Sequence, residues 1–465
     1  MQKLIRKITS FFNRPDELDE RHGFEPYDEP YIFTRDDHDI SRRQISKAAL
    51  DVLYGLKRAG YEAYLVGGAV RDLMLGIEPK DFDIVTNAEP DQIKKVFKQR
   101  CRLIGRRFRL AHVHFGRDII EVATFRGEGE NQSKRMTDDS GRLLRDNVYG
   151  TMDEDVWRRD FTINSLYYDI RDFSVVDYVE GVDDLEDGLI RLIGDPETRY
   201  REDPVRMIRA VRFAAKLGFK IESETEKPIF ELAPLLLDVS HARMFEEVLK
   251  LFHSGVAIQV FEKLRHYGLF EHLFPMTEQT LSVENEQNHF PSMVVIEALK
   301  STDSRIRTGK SVNPAFLFAA MLWEPMTQRR QQLLDDGFVP QDAFFAACGD
   351  VLEQQNARTM IPKRLMATVR DIWNLQYRLT LRKPKQVQAL IEHPRFRAAY
   401  DFLGVRVAAG EVELKELFDW WTEYQEMNPV DRVAFTSDLK RSGDERSRRK
   451  PRKNRNFYRK RSQKS

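Results

Sequence analysis

The sequence lacks several features that would assign it to common classes of protein. Its 465 residues include only two cysteines, Cys101 and Cys348, which excludes a disulfide framework and a cysteine-based zinc site. No apolar run approaches the length of about 20 residues that spans a bilayer. The segment Met1–Asn13 is basic and amphipathic but lacks the apolar core and cleavage site of a signal peptide, so we expect a docking helix there. These absences predict a cytoplasmic protein without stable membrane insertion.

What the chain does contain is enough apolar material for large cores, together with a strongly uneven charge. Hydrophobic residues make up 41% of the sequence, including 30 Phe, and the length suits about three domains. The net charge is +1, but Lys440–Ser465 has 13 Lys/Arg and two acidic residues, a net +11 that leaves −10 for the rest. Almost no aliphatic side chains occur in this tail, so we expect it to be disordered and to attract nucleic acid. The alternative is a solubilising terminus.

The stretch from Tyr64 to Asp83 carries the strongest chemical signal. A short apolar strand leads into Gly67-Gly68 and a helix that ends at Gly76, with Arg71 on that helix. Glycines let backbone N–H groups approach phosphate oxygens, and a helix N-terminus favours negative charge. Asp81 and Asp83 then point to one face of a strand, where two carboxylates can hold two divalent cations about 3.5–4 Å apart. The order predicts a nucleotidyltransferase.

A third carboxylate would complete such a metal site, and the residues leave two candidates open. Glu121 lies in the apolar strand Ile119–Phe125, where an acidic residue is unusual unless it faces a site. Asp160 follows Arg158 and Arg159, and its alternative role is that of a helix N-cap. The two arginines are candidates to bind a triphosphate; their alternative role is in surface ion pairs that contribute little to stability.

The segment Glu202–Phe213 predicts a second functional element. Asp203 and Pro204 favour the start of a helix, as N-cap and first helical residue. Three arginines then recur every third residue on one face, opposite an apolar stripe that we expect to face the core. The arginines are Arg206, Arg209 and Arg212, and the stripe is Val205, Ile208, Val211 and Ala214. Guanidinium groups without interleaved acids favour the binding of phosphates or base edges.

The arrangement of strands and helices predicts a small α/β sheet domain followed by helices. A helix is expected over Ser41–Ala59, after which strand and helix patterns alternate up to Phe125. Glu128–Arg145 is polar and of mixed charge, so we expect a mobile loop. From Pro204 to about residue 428, helical patterns dominate.

Taken together, these segments resemble the bacterial class II nucleotidyltransferases, a superfamily that includes CCA-adding enzymes and bacterial poly(A) polymerases. The resemblance rests on Gly67–Asp72, Asp81–Asp83, Arg158–Asn164 and Glu202–Arg212. Leu103–Val113 looks like the segment that marks the poly(A) polymerase branch. Further matching segments extend into the arginine-rich tail, so the resemblance covers nearly the whole chain.

The resemblance implies an α+β fold with a small mixed-sheet nucleotidyltransferase head, an all-α neck and body, and a disordered basic C-terminal tail. The implied domains are an N-terminal extension (1–40), the catalytic head (41–198), a neck with nucleotide- and RNA-binding helices (199–265), an RNA-guiding body (266–430) and the tail (431–465). The implied activity is template-independent addition of AMP from ATP to RNA 3′ ends, a poly(A) tail that influences RNA decay.

The resemblance also implies roles for individual residues. Asp81 and Asp83 would bind two Mg²⁺ ions, with Mn²⁺ as a substitute, and Asp160 would be the third active-site acid, with Glu121 as a supporting carboxylate. The nucleotide-contacting positions would be Gly68, Arg71, Arg159, Asp203, Arg206, Arg209 and Arg212. RNA 3′ ends and ATP are the expected partners of a monomer, with RNA-decay proteins at the tail.

Two other functions compete with poly(A) addition. A CCA-adding enzyme would perform the same chemistry with CTP and ATP on tRNA, and the residues themselves do not explain a preference for ATP over CTP. A catalytically silent RNA-binding protein would retain the fold alone, but the intact Asp81 and Asp83 argue against it. The segment Leu103–Val113 and the basic tail argue against CCA addition through the resemblance.

Overall fold

The computed structural model describes residues 29–105, 109–127, 148–282, 293–382 and 384–428, with the backbone of 135–137 and 143–146 and positions 430–432 and 435. The N-terminal docking helix and the basic tail predicted from the sequence lie outside these residues. The chain divides into two compact units. The first runs to Ser240 and includes Gln259–His272, and the second comprises His241–Ile258 and the residues from Leu273 onward. No helix in the described ranges is long and apolar enough to cross a membrane.

A mixed sheet of eight strands lies at the centre of the first unit, in the order β1-β10-β9-β2-β3-β6-β5-β4. Neighbouring strands are antiparallel except β3 and β6, which run parallel. The strands, with the separate pair β7–β8, are β1 (Tyr31–Phe33), β2 (Ala63–Val66), β3 (Asp83–Thr86), β4 (Cys101–Ile104), β5 (Leu110–Phe115), β6 (Asp118–Thr124), β7 (Arg135–Thr137), β8 (Leu143–Asp146), β9 (Leu166–Asp169) and β10 (Val175–Asp177). The parallel contact places residues 83 and 121 side by side.

The helix predicted over Ser41–Ala59 is shorter than expected. Ser41 and Gln44 form a capping box around a separate 3-10 turn, Arg42–Gln44, and Ser46 then caps α1 (Lys47–Arg58) by accepting a hydrogen bond from the Ala49 N–H at 3.2 Å. The helix therefore starts six residues late, because two serines compete to cap it. Its apolar face is buried, and it ends before Gly60, as predicted.

The other helices of the first unit flank the sheet or follow it. They are α2 (Gly68–Met74), α3 (Pro90–Phe97), α4 (Met152–Trp157), α5 (Gly181–Asp187), α6 (Pro196–Glu202), α7 (Val205–Leu217) and α8 (Ser223–Leu232). A two-residue parallel ladder, β11 (Leu189–Ile190) with β12 (Lys220–Ile221), joins the chain on either side of α6 and α7. The apolar stripe predicted on α7 is confirmed, since its four members are at most 1% exposed.

The second unit is helical, as expected. In chain order its helices and the two near the unit boundary are α9 (His241–Phe252), α10 (Ala257–His266), α11 (Phe270–Leu273), α12 (Pro275–Ser282), α13 (Met293–Arg307), α14 (Pro314–Met321), α15 (Trp323–Asp335), α16 (Pro340–Asn356), α17 (Lys363–Leu379), α18 (Pro384–Ile391), α19 (Phe396–Ala408) and α20 (Lys415–Glu426). Two buried indoles organise its core. Trp373 Nε1 donates to the Ala319 carbonyl at 3.0 Å, and Trp421 Nε1 donates to the Leu379 carbonyl at 3.1 Å, so each satisfies its polar atom inside an apolar core.

The segment predicted as a mobile loop, Glu128–Arg145, contains regular backbone where it is described. β7 and β8 pair antiparallel, with a register shift between Met136 and Thr137. The expectation of a loop was wrong for these residues, because the polar composition outweighed a weak strand signal in the sequence. The rest of the segment lies outside the described residues.

Candidate active site

The two predicted metal ligands lie where β3 begins. Asp83 is the first residue of β3, Asp81 precedes it by two positions, and both side chains are exposed. Asp83 is the direct register partner of Glu121 on the parallel strand β6, so the two carboxylates share a face of the sheet. The pKa of Asp83 is raised to about 6, chiefly by burial and also by the negative charges of Glu121 and Asp81, while Arg159 opposes the rise. Although Asp83 reaches solvent, the surrounding protein and like charges disfavour its ionised form.

These carboxylates fit a divalent cation that is shared with substrate. Among the residues that the structure describes, no group of three or more His, Cys, Asp or Glu is arranged to hold a metal ion alone. Magnesium is commonly held by one or two carboxylates together with substrate phosphates, so a complete protein cage is not required. The hard oxygen donors of Asp81 and Asp83, and their mutual repulsion without a cation, suit such a site.

The other candidate acid, Asp160, has different partners. Its Oδ2 accepts from Arg209 Nε at 2.7 Å and also from Nη2, while Oδ1 accepts from the Phe161 N–H at 2.9 Å and from Asn164 Nδ2 at 3.4 Å. Burial alone would raise the pKa of Asp160, but Arg209 and these hydrogen bonds outweigh it and hold the pKa below its usual value. Asp160 is not a helix N-cap, because the following 3-10 turn, Thr162–Asn164, begins after Phe161.

Gly67 and Gly68 connect β2 to α2 in a conformation that requires glycine. Gly67 has φ of 71° and ψ of −135°, which an L side chain rarely adopts. A Cβ at this position would lie 3.7 Å from the Asn164 carbonyl oxygen and 3.9 Å from Arg159 Nη1. The turn therefore passes directly beside one predicted nucleotide contact, Arg159. A Cβ at Gly68 would lie 3.5 Å from Nη2 of another, Arg71.

Arg71 is held in a buried polar network. Its Nε and Nη2 donate to Asp72 Oδ1 at 2.9 and 2.6 Å, and its Nη1 donates to Asn164 Oδ1 at 2.6 Å. Since Asn164 also donates to Asp160, the network runs from α2 to the pair formed by Asp160 and Arg209. Arg71 is only 3% exposed. It fixes the geometry beside the glycine turn, with each guanidinium nitrogen already hydrogen-bonded.

Arg159 is oriented by a buried acid and a tyrosine. Its Nε and Nη2 donate to Asp155 Oδ2 at 3.0 and 2.8 Å, and Nε also donates to the Tyr167 hydroxyl at 2.7 Å. That hydroxyl in turn donates to Asp155 at 2.9 Å, and the guanidinium lies 5.0 Å from the Tyr167 ring. Three contacts thus fix one edge of the guanidinium, while Nη1 is directed toward Gly67.

The arginine face of α7 is more fully paired than the sequence predicted. Arg206 Nη1 donates to the Arg199 carbonyl at 2.6 Å and to Glu202 at 3.1 Å, and Arg209 binds Asp160. Arg212 lies 4.4 Å from the Phe213 ring. Asp203 ends α6 in extended backbone, and Pro204 rather than Asp203 is the N-cap of α7, one residue later than predicted. The chain before this helix also forms a 3-10 type bond from the Arg206 N–H to the Asp203 carbonyl at 3.0 Å.

Sequence reasoning missed several residues that shape the site. Asp155, Tyr167 and Phe213 support the predicted arginines but were not singled out as site residues, because each acts on another side chain. A local signal did exist for Asp155, since it lies four positions before Arg159 on the α4 side of the motif. Asn164 and Asp72 belong to the matched segments, and the structure gives them partners in Arg71.

Comparison with known proteins shows which family the chain resembles in sequence. Three family models match: "Poly A polymerase head domain" over residues 63–191, "Probable RNA and SrmB- binding site of polymerase A" over 218–281, and "Polymerase A arginine-rich C-terminus" over 336–456. The chain is 49% identical to poly(A) polymerase I of Salmonella typhi over 459 residues, which is 97% of this chain and 98% of that protein.

Similarity to CCA-adding enzymes covers much less of the sequence. A CCA-adding enzyme of Lactobacillus helveticus is 41% identical over 216 residues, 46% of this chain and 52% of that protein. A solved structure described as a tRNA-processing enzyme shares the fold, with a TM-score of 0.58, 22% identity, and coverage of 87% of this chain and 98% of that one. Because it is 49% identical to a poly(A) polymerase I over 97% of its length, the chain belongs to the poly(A) polymerase I family.

Proposed function

We propose that the chain extends RNA 3′ ends with AMP from ATP at a site where Asp81 and Asp83 bind two Mg²⁺ ions. Membership of the poly(A) polymerase family makes it a template-independent polynucleotide adenylyltransferase that uses ATP and a divalent metal. The observation that carries the site proposal is the register of Asp83 with Glu121, next to Asp81. This arrangement concentrates negative charge on one exposed face. The charge adds to the larger effect of burial in raising the pKa of Asp83.

The residues around this face have separable roles in the proposed mechanism. Bound there, the metal ions would lower the pKa of the RNA 3′-hydroxyl and neutralise the triphosphate and departing pyrophosphate. The Gly67-Gly68 turn leaves room for a phosphate beside the backbone, and Arg159 directs Nη1 toward it. Positioning and charge stabilisation are sufficient for this chemistry, so no covalent nucleophile is needed.

Glu121 and Asp160, the two candidate acids, have different roles in this proposal. Glu121 is the carboxylate beside Asp83 and supports the metal ligands. Its other neighbour is His112, whose Nε2 lies 3.4 Å from Glu121 Oε2. Asp160 is an active-site acid that acts by holding Arg209, because its oxygens are already occupied by Arg209, Phe161 and Asn164.

The remaining nucleotide contacts are proposed on α2 and α7. Gly68 and Arg71 border the phosphates, and Asp203, Arg206, Arg209 and Arg212 face the nucleotide. We also propose the domain boundaries given by the resemblance, a monomeric state, a cytoplasmic location and contacts of RNA-decay proteins with the tail. Mn²⁺ would replace Mg²⁺.

CCA addition is the second candidate, because CCA-adding relatives match about half of the chain. A nucleotide-choice assay separates the two. The purified protein is incubated with an unstructured RNA primer, Mg²⁺ and each nucleotide separately. We expect extension by many residues with ATP and by few with CTP. Addition limited to two C and one A on tRNA ends would support the second candidate, and no addition with any nucleotide would favour a silent RNA-binding protein.

A further inference from the structure

A buried aromatic ring in the first unit is surrounded by three cations. The Phe213 side chain on α7 is 7% exposed, and the guanidinium carbons of Arg212, Arg71 and Arg209 lie 4.4, 5.2 and 5.4 Å from its ring centre. Phe161 packs edge-on against the same ring at 5.6 Å. The ring thus gathers arginines from α2 and α7 at one place, where cation–π attraction lowers the cost of their mutual repulsion.

Two lysines extend this group of cations to the surface. Lys216 lies one helical turn beyond Arg212 on α7, and Lys80 immediately precedes Asp81; both side chains are exposed. Neither lysine side chain forms a hydrogen bond or an ion pair with any described residue. Burial lowers the pKa of Lys216, and Arg71, Arg212 and Lys80 lower it further, with Asp72 as the opposing acid.

Around Phe213 the cations outnumber the acids. Three arginines and two lysines accompany two acids in this group, Asp72 and Asp160, and each of these acids is already bound by an arginine. The acidic face of Asp81 and Asp83 is next to this group, because Lys80 directly precedes Asp81. A surface with unbalanced positive charge beside an RNA polymerising site attracts phosphate oxygens, whether from ATP or from the RNA backbone. Lysine carries a compact charge on a flexible stem, which suits a backbone that must move by one nucleotide after each addition. Neither lysine belongs to the Gly67-Gly68 turn or to the contacts that hold Arg159, where the triphosphate is proposed to bind.

We propose that Lys80 and Lys216 bind the RNA phosphate backbone close to the 3′ end that is being extended. This inference rests on the proposed function, since it needs RNA at the Asp81–Asp83 face. It assigns the two lysines to the primer, whereas the arginines around Phe213 serve the nucleotide. Each lysine then contributes one phosphate contact and about 0.7 to the slope of log K against log salt for single-stranded RNA.

The test uses full-length protein with four single substitutions. Lys80→Gln and Lys216→Gln remove the proposed contacts, and Lys216→Arg keeps the charge. Lys57→Gln is the matched control, because Lys57 is an exposed lysine on α1 whose side chain has no hydrogen-bond or ion-pair partner among the described residues. For each protein, the Kd of a labelled 12-nucleotide oligo(A) is measured across a salt series, and KM for ATP is measured at saturating RNA. Thermal melting confirms folding.

We expect each glutamine variant to weaken oligo(A) binding several-fold and to lower the salt slope by about 0.7, with KM for ATP unchanged. Lys216→Arg should restore the slope, and Lys57→Gln should match the wild type. An increase in KM for ATP with an unchanged salt slope would overturn the inference in favour of a triphosphate contact. Glutamine variants that behave like Lys57→Gln would also overturn it. Failure of the wild type itself to extend RNA with ATP would instead refute the proposed function.

Discussion

Arg209 donates two hydrogen bonds to a single oxygen of Asp160, through Nε at 2.7 Å and through Nη2. The other oxygen of Asp160 is occupied by Phe161 and Asn164. The carboxylate is therefore saturated by protein donors, and it connects the segment after α4 to the middle of α7. This relationship separates Asp160 from Glu121, which lies in register with Asp83.

The Asp160–Arg209 pair should contribute stability in a pH-dependent way. Because the folded-state pKa of Asp160 lies below its usual value, its stabilisation is fully present above the unfolded pKa of about 3.9. It is lost as the pH falls through the folded pKa. We expect Asp160→Asn to lower the free energy of unfolding by about 1–3 kcal/mol at pH 7. The difference from wild type should shrink toward zero below pH ~4. Urea unfolding across pH measures this, with exposed Asp51→Asn as control; a pH-independent difference would contradict it.

Substitution of the proposed metal ligands, Asp81 and Asp83, should reduce activity more than substitution of Glu121. Asp81→Asn or Asp83→Asn should reduce the rate of AMP addition at least about 1,000-fold, equivalent to about 4 kcal/mol of barrier, with little change in melting temperature. Glu121→Gln should cost about 10–100-fold, as expected for a supporting carboxylate. Single-turnover assays at several Mg²⁺ concentrations provide the measurement. Glu78→Gln, an exposed acid in the preceding loop, should be silent. Near-normal activity in a folded Asp83→Asn protein would exclude the proposed metal site.

The hydroxyl of Tyr167 should matter for ATP through Arg159. Tyr167→Phe removes the hydroxyl that bonds Arg159 and Asp155 but keeps the ring beneath the guanidinium. We expect a stability loss of about 1 kcal/mol and a several-fold increase in KM for ATP, with a smaller effect on kcat. Tyr168→Phe is the control, because the neighbouring hydroxyl has no hydrogen-bond partner among the described residues. Equal effects of both substitutions on KM would show that Tyr167 does not position Arg159.

Removal of the basic tail should affect RNA binding without affecting the catalytic step. Deletion of Lys440–Ser465 removes +11 of charge from a region outside the described residues. We expect little change in stability, weaker binding of oligo(A), and a flatter dependence of log Kd on log salt, because fewer counterions are released. The rate at saturating RNA should survive. A version with a neutral tail of equal length controls for chain length, and coincident salt slopes would indicate a solubilising terminus.

Much of the site could be predicted from the sequence because its signals are local. The strand before Gly67, the helix that ends shortly before Gly76 and the buried stripe of α7 all follow from apolar spacing and from the glycines that bound these elements. By contrast, the partner of Arg209 is 49 residues away in the chain. No periodicity reveals such a pair.

The position of Glu121 beside Asp83 also depends on tertiary structure. Glu121 lies beside Asp83 because β6 pairs parallel with β3, although β4 and β5 separate these two strands in the sequence. A strand pattern predicts that Glu121 faces one side of a sheet, but not which strand lies next to it. The capping competition between Ser41 and Ser46 similarly depends on three-dimensional hydrogen bonds, which is why α1 starts later than its periodicity suggested.

The short ladder of β11 and β12 has a consequence for selectivity in the absence of a template. The ladder joins the two ends of the segment that carries α6 and α7. Its hydrogen bonds run from the Lys220 N–H to the Gly188 carbonyl and from the Glu222 N–H to the Ile190 carbonyl. The bond from Arg209 to Asp160 holds the same segment at a second point, in the middle of α7. If α7 contacts the nucleotide as proposed, a helix held at these two points loses little conformational freedom on binding, so the entropic cost of ordering it is met once, during folding. The protein would then act as a rigid substitute for a template strand, reused unchanged at every addition.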